Sequence, residues 1–196
     1  MWYRIICVSL CMLFLLGCSS HHYKNPHVKI ETILGDIEVE LYPGQAPKSV
    51  AAFLRSVDSG YYKNTSFYRI LSGGNQASDG FKSRLIQGGL WKSNYKLAAT
   101  IPGIPHETTQ QTHILHTDGT ISFARAAPGT ANTEFFICIG DQHGFDYGGP
   151  NNPDGQGYAA FGKVVDGMSV VNKIYNAPED EQEFTPPVLI EDIVRL

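Results

Sequence analysis

The chain's most constraining feature is a rhythm of short period-two segments broken by turn residues. Val28, Ile30 and Thr32 alternate with Lys29 and Glu31, and after Leu34-Gly35-Asp36 the pattern resumes as Ile37-Glu38-Val39-Glu40-Leu41. Successive side chains of a strand point to opposite faces, so each segment predicts a half-buried strand, with Gly-Asp as the hairpin turn between them. Further strand segments over residues 66–71, 84–88, 119–124, 134–139 and 159–165 are separated by Gly-, Pro- and Asn-rich stretches. Residues 188–196 alternate again and are placed to close the sheet on an early strand. Only two stretches switch to helical spacing. Val50, Phe53, Leu54 and Val57 fall at i, i+3, i+4 and i+7, with Pro47 suited to a first helical position and Gly60 just past the end. After Asp166, the residues Met168, Val171, Ile174 and Tyr175 share one helix face. About eight strands with two helices favour an antiparallel barrel over a parallel α/β fold.

With 196 residues, 42% of them hydrophobic, the chain suits one domain with a real core. A net charge of -4 supplies no basic stripe for phosphates, which argues against nucleic acid as a partner.

The N-terminus reads as a targeting segment. Arg4 is followed by an apolar stretch over residues 5–16, too short to span a bilayer, and then by Leu15-Leu16-Gly17-Cys18-Ser19. This resembles the bacterial lipobox, in which cleavage leaves the cysteine as the first residue, carrying lipid. The expected division is therefore a lipoprotein signal over 1–17, a lipidated Cys18 with a tether over 18–27, and a domain over 28–196. A plain secretory signal containing a cysteine is the second reading. With Cys7 and Cys11 removed and Cys18 acylated, Cys138 has no disulfide partner and reads as a buried strand residue.

Phosphate-cradling glycine loops, Cys-x-x-Cys, His-Glu-x-x-His and Gly-x-Ser-x-Gly are all missing from the sequence. His113 and His116, near His106 and Glu107, invite a zinc reading, but the stretch is loop-like, and solvated loop histidines are the expectation. No metal and no cofactor are expected.

Four ordered segments together resemble the cyclophilin family of peptidyl-prolyl cis-trans isomerases. They are Phe67-Tyr68-Arg69-Ile70-Leu71; Ile86-Gln87-Gly88-Gly89; Gly119-Thr120-Ile121-Ser122-Phe123-Ala124-Arg125 with Glu134-Phe135-Phe136-Ile137; and Phe161-Gly162-Lys163-Val164-Val165-Asp166-Gly167-Met168. The resemblance covers nearly all of residues 28–196. It implies a mainly β fold, a closed eight-stranded antiparallel β-barrel capped by two α-helices.

By that resemblance Arg69 is the catalytic arginine, Gln87 orients it and holds substrate backbone, and Phe136 floors the proline pocket. Tyr68, Leu85, Ala124, Ala126, Glu134, Phe145 and Tyr158 stand at substrate-binding positions. Three of these depart from the family pattern: Tyr68 and Tyr158 replace histidines, and Glu134 replaces a glutamine. An acid at Glu134 either pairs with Arg69 or orients it, and both readings stand at this point. The family's tryptophan position falls on Gly144, which implies weak cyclosporin binding because the indole donor is missing. The family's phenylalanine after the arginine strand falls on Arg84, and an insertion over residues 72–83 offers Phe81 as a substitute at the pocket.

The expected function is isomerisation of X-Pro bonds in exported polypeptides by a monomer needing no cofactor. It would be lipid-anchored through Cys18 on the periplasmic side of a bacterial envelope, the outer membrane favoured over the inner. The alternative is a module that holds proline-containing peptides with little turnover.

Overall fold

A computed structural model describes residues 23–77 and 81–196. The signal segment, Cys18 and residues 78–80 of the insertion lie outside the described residues. No helix of the described residues is long and apolar enough to cross a membrane.

In chain order the elements are β1 (His27–Thr32), β2 (Gly35–Leu41), α1 (Pro47–Asp58), β3 (Thr65–Leu71), β4 (Leu85–Gly89), α2 (Trp91–Ala98), α3 (Thr109–Thr112), β5 (Thr120–Phe123), β6 (Phe135–Cys138), β7 (Ala159–Asp166), α4 (Met168–Tyr175), β8 (Glu179–Asp180) and β9 (Glu183–Arg195). The sheet runs β1-β2-β7-β5-β6-β4-β3-β9, and β9 returns to pair with β1, so eight antiparallel strands close a barrel. The short β8 pairs only with β9, outside the closed ring. Closure leaves no open edge in the ring and satisfies the backbone ladder without a partner chain.

The alternation read in the first hairpin is the alternation found. Val28, Ile30, Ile37, Val39 and Leu41 are all fully buried. Gly35 turns the hairpin at φ 128°, and a Cβ there would lie 2.9 Å from a Val170 methyl on α4. That position requires glycine for both conformation and close approach.

Helix α1 plugs one end of the barrel. Its Phe53 ring is fully buried, with centroids 5.0 Å from Phe161, 5.3 Å from Tyr62 and 5.8 Å from Phe135. The residue before α1, Ala46, cannot cap it, and the buried Glu107 carboxylate does so from a distant loop, accepting from the Lys48 and Ser49 backbone N–H groups at 3.1 and 2.7 Å. An anion at that end also suits the helix dipole.

Most strands fall within a residue or so of the sequence expectation, and the larger differences lie at the two ends of the domain and in two added helices. The first strand starts at His27, whose ring stacks on Tyr23 at 3.8 Å and bonds Glu38 at 2.6 Å, so the segment expected as tether is already tied to the barrel there. The last strand starts at Glu183 rather than near 188, because β8 and the tight turn after it extend its pairing. Helices α2 and α3 add to the two expected caps. Helix α2 escapes the amphipathic signal because Ala98 is its one buried residue. Helix α3 is a single turn held by a Thr108–Gln111 capping box.

Candidate active site

The barrel wall itself positions the site. In β4 and β6, Ile86, Phe135 and Ile137 face the core, so Leu85, Gln87, Phe136 and Cys138 face outward. Antiparallel register then sets Arg69 beside Gln87, Gln87 beside Phe136 and Phe136 beside Ser122, a single row across β3, β4, β6 and β5. A small apolar cluster of Leu85, Phe136, Cys138 and Phe145, separate from the main core, forms on this outer face. It floors a groove of about 480 Å³.

Of the residues singled out by sequence, Arg69, Gln87, Phe136, Leu85, Ala124, Ala126, Glu134, Phe145 and Tyr158 all line this groove. Tyr68 does not. It is the extra residue of a β-bulge between Phe67 and Arg69, 9% exposed, and its hydroxyl backs the groove residues Gln87 and Glu134 rather than lining the groove itself. Leu71, Trp91, Arg125, Thr130, Asn132 and Asn151 complete the lining and were not singled out. Arg125 lay in a recognised segment but carried no signal of its role, which depends on a loop about 30 residues away.

Phe136 is 2% exposed, and its neighbours fix its plane. Phe145 lies at 5.1 Å and Tyr158 meets it edge-on at 5.4 Å. Beneath it the His116 ring is nearly parallel, at 5.9 Å. Here the expectation of solvated loop histidines is corrected: His116 is fully buried. Asp146 bonds its Nδ1 at 2.8 Å and Ser122 its Nε2 at 3.0 Å, so both ring nitrogens are satisfied away from water. Burial lowers the proton affinity of His116, while the Asp146 contact works against that shift.

Arg69 projects over this floor. Its Nη1 donates to Gln87 Oε1 at 3.1 Å and its Nη2 to Gln182 Oε1 at 3.0 Å. Behind Gln87 a chain of hydrogen bonds continues: Gln87 Nε2 donates to the Tyr68 hydroxyl at 3.0 Å, and that hydroxyl donates to Glu134 Oε2 at 2.5 Å. The other Glu134 oxygen accepts from the Trp91 backbone N–H at 2.8 Å. Among the described residues Glu134 forms no ion pair with Arg69; it reaches the arginine only through Tyr68 and Gln87. Burial raises the proton affinity of Glu134, opposed by the hydrogen bond from Tyr68.

Arg125 closes the far wall. Its guanidinium meets Asp154 at 2.7 and 2.9 Å, donates from Nε to the Gly157 carbonyl at 2.8 Å and sits 5.3 Å from the Tyr158 ring centroid. These bonds hold the Asp154 carboxyl down at about 2. A cation over an aromatic face adds to the hold.

Phe81 stacks over Gly144 and does not line the groove. A Cβ built on Gly144 would fall 2.1 Å from the Phe81 ring. Arg84 points over Gly140 instead of toward the groove. Cys138 is fully buried, and burial pushes its thiol well above the ordinary range, so it is inert.

A donor-only guanidinium held over an apolar floor sized for a ring can grip a prolyl side chain and offer N–H groups to its nitrogen. Residues 27–195 match the family model described as cyclophilin type peptidyl-prolyl cis-trans isomerase. The chain belongs to this family. Similar curated proteins include a peptidyl-prolyl cis-trans isomerase of Acinetobacter baylyi, 36% identical over 82% of this chain and 77% of its own. Peptidyl-prolyl cis-trans isomerase B of Escherichia coli is 33% identical over 85% of this chain and 94% of its own. Among solved structures, a Cryptosporidium parvum cyclophilin type isomerase superposes with a TM-score of 0.66 at 26% identity, covering 87% of this chain and 97% of that one. The same protein studied in the presence of the dipeptide Ala-Pro gives a TM-score of 0.64. The closed eight-stranded barrel of this cyclophilin is the fold that the sequence resemblance implied.

Proposed function

We propose that this cyclophilin isomerises X-Pro bonds in the groove on the outer face of β3, β4, β5 and β6, with Arg69 as the group that acts on the prolyl nitrogen. The observation that carries this is the placement of Arg69, Gln87 and Phe136 in one register row, donor beside floor.

Amide resonance sets a barrier of roughly 18–20 kcal/mol to rotation about the C–N bond. As the bond twists, the nitrogen loses conjugation and regains a lone pair. An Arg69 N–H aimed at that lone pair binds the twisted state better than the planar one, which is the condition for catalysis. A guanidinium has five N–H donors; the bonds to Gln87 and Gln182 occupy two and leave others for substrate. Phe136, Leu85, Phe145 and Tyr158 grip the ring, so that rotation of the preceding residue proceeds against a fixed proline. A reduction of about 7 kcal/mol corresponds to roughly 10⁵-fold acceleration.

The clients are taken to be exported chains with accessible prolines, met at a membrane surface. The apolar stretch over residues 5–16 and the Leu15-Leu16-Gly17-Cys18 motif support a lipid anchor on Cys18. A short polar link from Cys18 to Tyr23 would hold the barrel close to the headgroups. Metabolic labelling with a fatty acid and loss of the label in Cys18→Ser tests the anchor.

The decisive experiment on the site is two-dimensional exchange NMR on an Ala-Pro peptide with the soluble domain and its Arg69→Ala variant. Fast exchange lost in the variant is the expected result. Peptide binding without exchange in the unsubstituted protein would make the domain a holding module instead. Exchange that survives in Arg69→Ala would remove the arginine from the mechanism.

A further inference from the structure

Gln182 was singled out by nothing in the sequence, yet it holds one end of the Arg69 guanidinium. It lies between β8 and β9, where Asp180 pairs with Glu183 and only Glu181 and Gln182 make the turn. Both turn residues have positive φ, 47° and 79°. This is the two-residue hairpin turn that glycine and asparagine favour, and a longer side chain there carries a conformational cost. A residue kept in a costly conformation beside a site calls for a function that only its side chain supplies.

The side chain makes two bonds of opposite sense. Its Oε1 accepts from Arg69 Nη2 at 3.0 Å, and its Nε2 donates to the Asn75 backbone carbonyl at 3.0 Å. Arginine can only donate and a carbonyl can only accept, so the pair of partners sets the amide orientation with no freedom to flip. The Gln182 carbonyl also accepts from the Ile70 N–H at 2.8 Å, which ties the turn to the residue after Arg69. Asn75 is fixed in turn: its Oδ1 accepts from the Ser72 N–H at 2.8 Å, and its Nδ2 donates to the Ile70 carbonyl at 3.3 Å. The inserted segment after β3 therefore reaches the arginine through Gln182.

We propose that Gln182 is a positioning residue for the isomerase reaction, holding Arg69 Nη2 so that the guanidinium plane is clamped between two amide oxygens, those of Gln87 and Gln182, and that the Asn75 carbonyl keeps it oriented. With one clamp alone the planar guanidinium can swing about its Cδ–Nε bond, and its free N–H groups lose their aim. The inference rests on the reading of Arg69 as the acting donor. Gln182 does not line the groove, so substrate binding does not depend on it.

The test replaces Gln182 with Gly and, separately, with Asn, residues that suit the turn but remove or shorten the reach to Arg69. Peptide exchange kinetics, thermal midpoint and the ¹⁵N-edited side-chain signals of Arg69 are measured together. The expected result is kcat reduced about 5- to 20-fold, less than the full loss of a hydrogen bond to a charged group because Gln87 still holds the other end of the guanidinium. KM stays within twofold, the midpoint is unchanged or higher, and the Arg69 Nη signals exchange faster. Unchanged kcat in both variants overturns the proposal, as does a fall in kcat that tracks a fall in thermal midpoint, which would mark a merely structural turn. Arg69→Ala, run alongside, keeps the two readings apart: if it retains activity the arginine mechanism fails, whereas loss in Arg69→Ala with full activity in Gln182→Gly sinks only the clamp.

Discussion

The Tyr68 hydroxyl lies 2.5 Å from the Glu134 carboxylate, and the bond joins the residue before the arginine to the residue before β6. A tyrosine donor and a carboxylate acceptor make a charge-assisted bond, about twice as strong as a neutral one. The consequence is that Glu134 acts on Arg69 at two removes, through Tyr68 and Gln87.

Activity is therefore expected to fall on the acid side as Glu134 takes a proton. Burial raises its pKa above the ordinary glutamate value, so the loss sets in at a higher pH than for a free carboxyl. Protonation leaves Tyr68 a neutral acceptor in place of a charged one, the bond weakens, and the hold on Gln87 slackens. The acid limb of the kcat profile should disappear in Glu134→Gln, with kcat at neutral pH reduced several-fold, and Tyr68→Phe should give a similar neutral-pH loss. An acid limb that persists unchanged in Glu134→Gln would assign it to another group.

His116 predicts a stability effect of a different kind. Burial lowers its pKa, so the folded protein holds it neutral while the unfolded chain takes up a proton near pH 6.5. The unfolded state then binds more protons, and stability declines as pH falls below about 6.5. Asp146, with its carboxyl held low by His116 and His143 against the cost of burial, adds a second decline below the ordinary aspartate value. Denaturant titrations from pH 8 to 5 should show this slope, and His116→Asn should flatten its upper part. The same variant is expected to weaken the proline grip, since the ring under Phe136 is gone.

Much of this architecture was legible because it rests on period. The alternation of the first hairpin sorts Val28, Ile30, Ile37, Val39 and Leu41 into the core directly. Phe53 and its i+4 partner Val57 announced α1 in the same way. By contrast, β6 reads Phe-Phe-Ile-Cys and is buried at every position, so the placing of Phe136 in the pocket rested on the family resemblance. What stayed hidden depends on contacts between residues far apart in the chain. Gln182 touches Arg69 across 113 residues, Glu107 caps α1 from 58 residues away, and His116 is buried because Asp146 and Ser122 satisfy it. No local pattern encodes such pairs. Tyr68 was legible as a departure from the family but not as the link between Gln87 and Glu134, because both bonds join residues far apart in the chain.

Arg125 and Asp154 give a prediction on binding rather than turnover. Their bidentate bond and the Gly157 contact hold the loop that delivers Tyr158 to the Phe136 edge. Asp154→Asn should raise KM several-fold with kcat little changed, and Arg125→Lys should behave alike because an ammonium cannot reproduce the planar fork. The Asp154 carboxyl stays charged down to about pH 2, so this wall is expected to hold through the mildly acid range and to loosen only as pH falls from about 4 toward 2. A KM that rises already at pH 5 would place the sensitivity elsewhere.

Gly144 and Phe81 decide how this cyclophilin meets cyclosporin. The position where the family pattern carries an indole has no side chain, and the Phe81 ring occupies the space a Cβ would need. Phe81 has no N–H to offer, so cyclosporin loses a hydrogen bond and affinity should be weak, above the submicromolar range by calorimetry. Restoring the indole with Gly144→Trp alone is obstructed by Phe81, although that ring is half exposed and can be displaced at modest cost. The pair Gly144→Trp with Phe81→Ala clears the space and should bind at least tenfold more tightly than the unsubstituted protein, the return expected from one buried tryptophan anchor. Because Phe81 and Gly144 lie outside the groove lining, Ala-Pro exchange should change little in the double variant. Submicromolar binding by the unsubstituted protein would mean that Phe81 substitutes for the indole through ring contact alone.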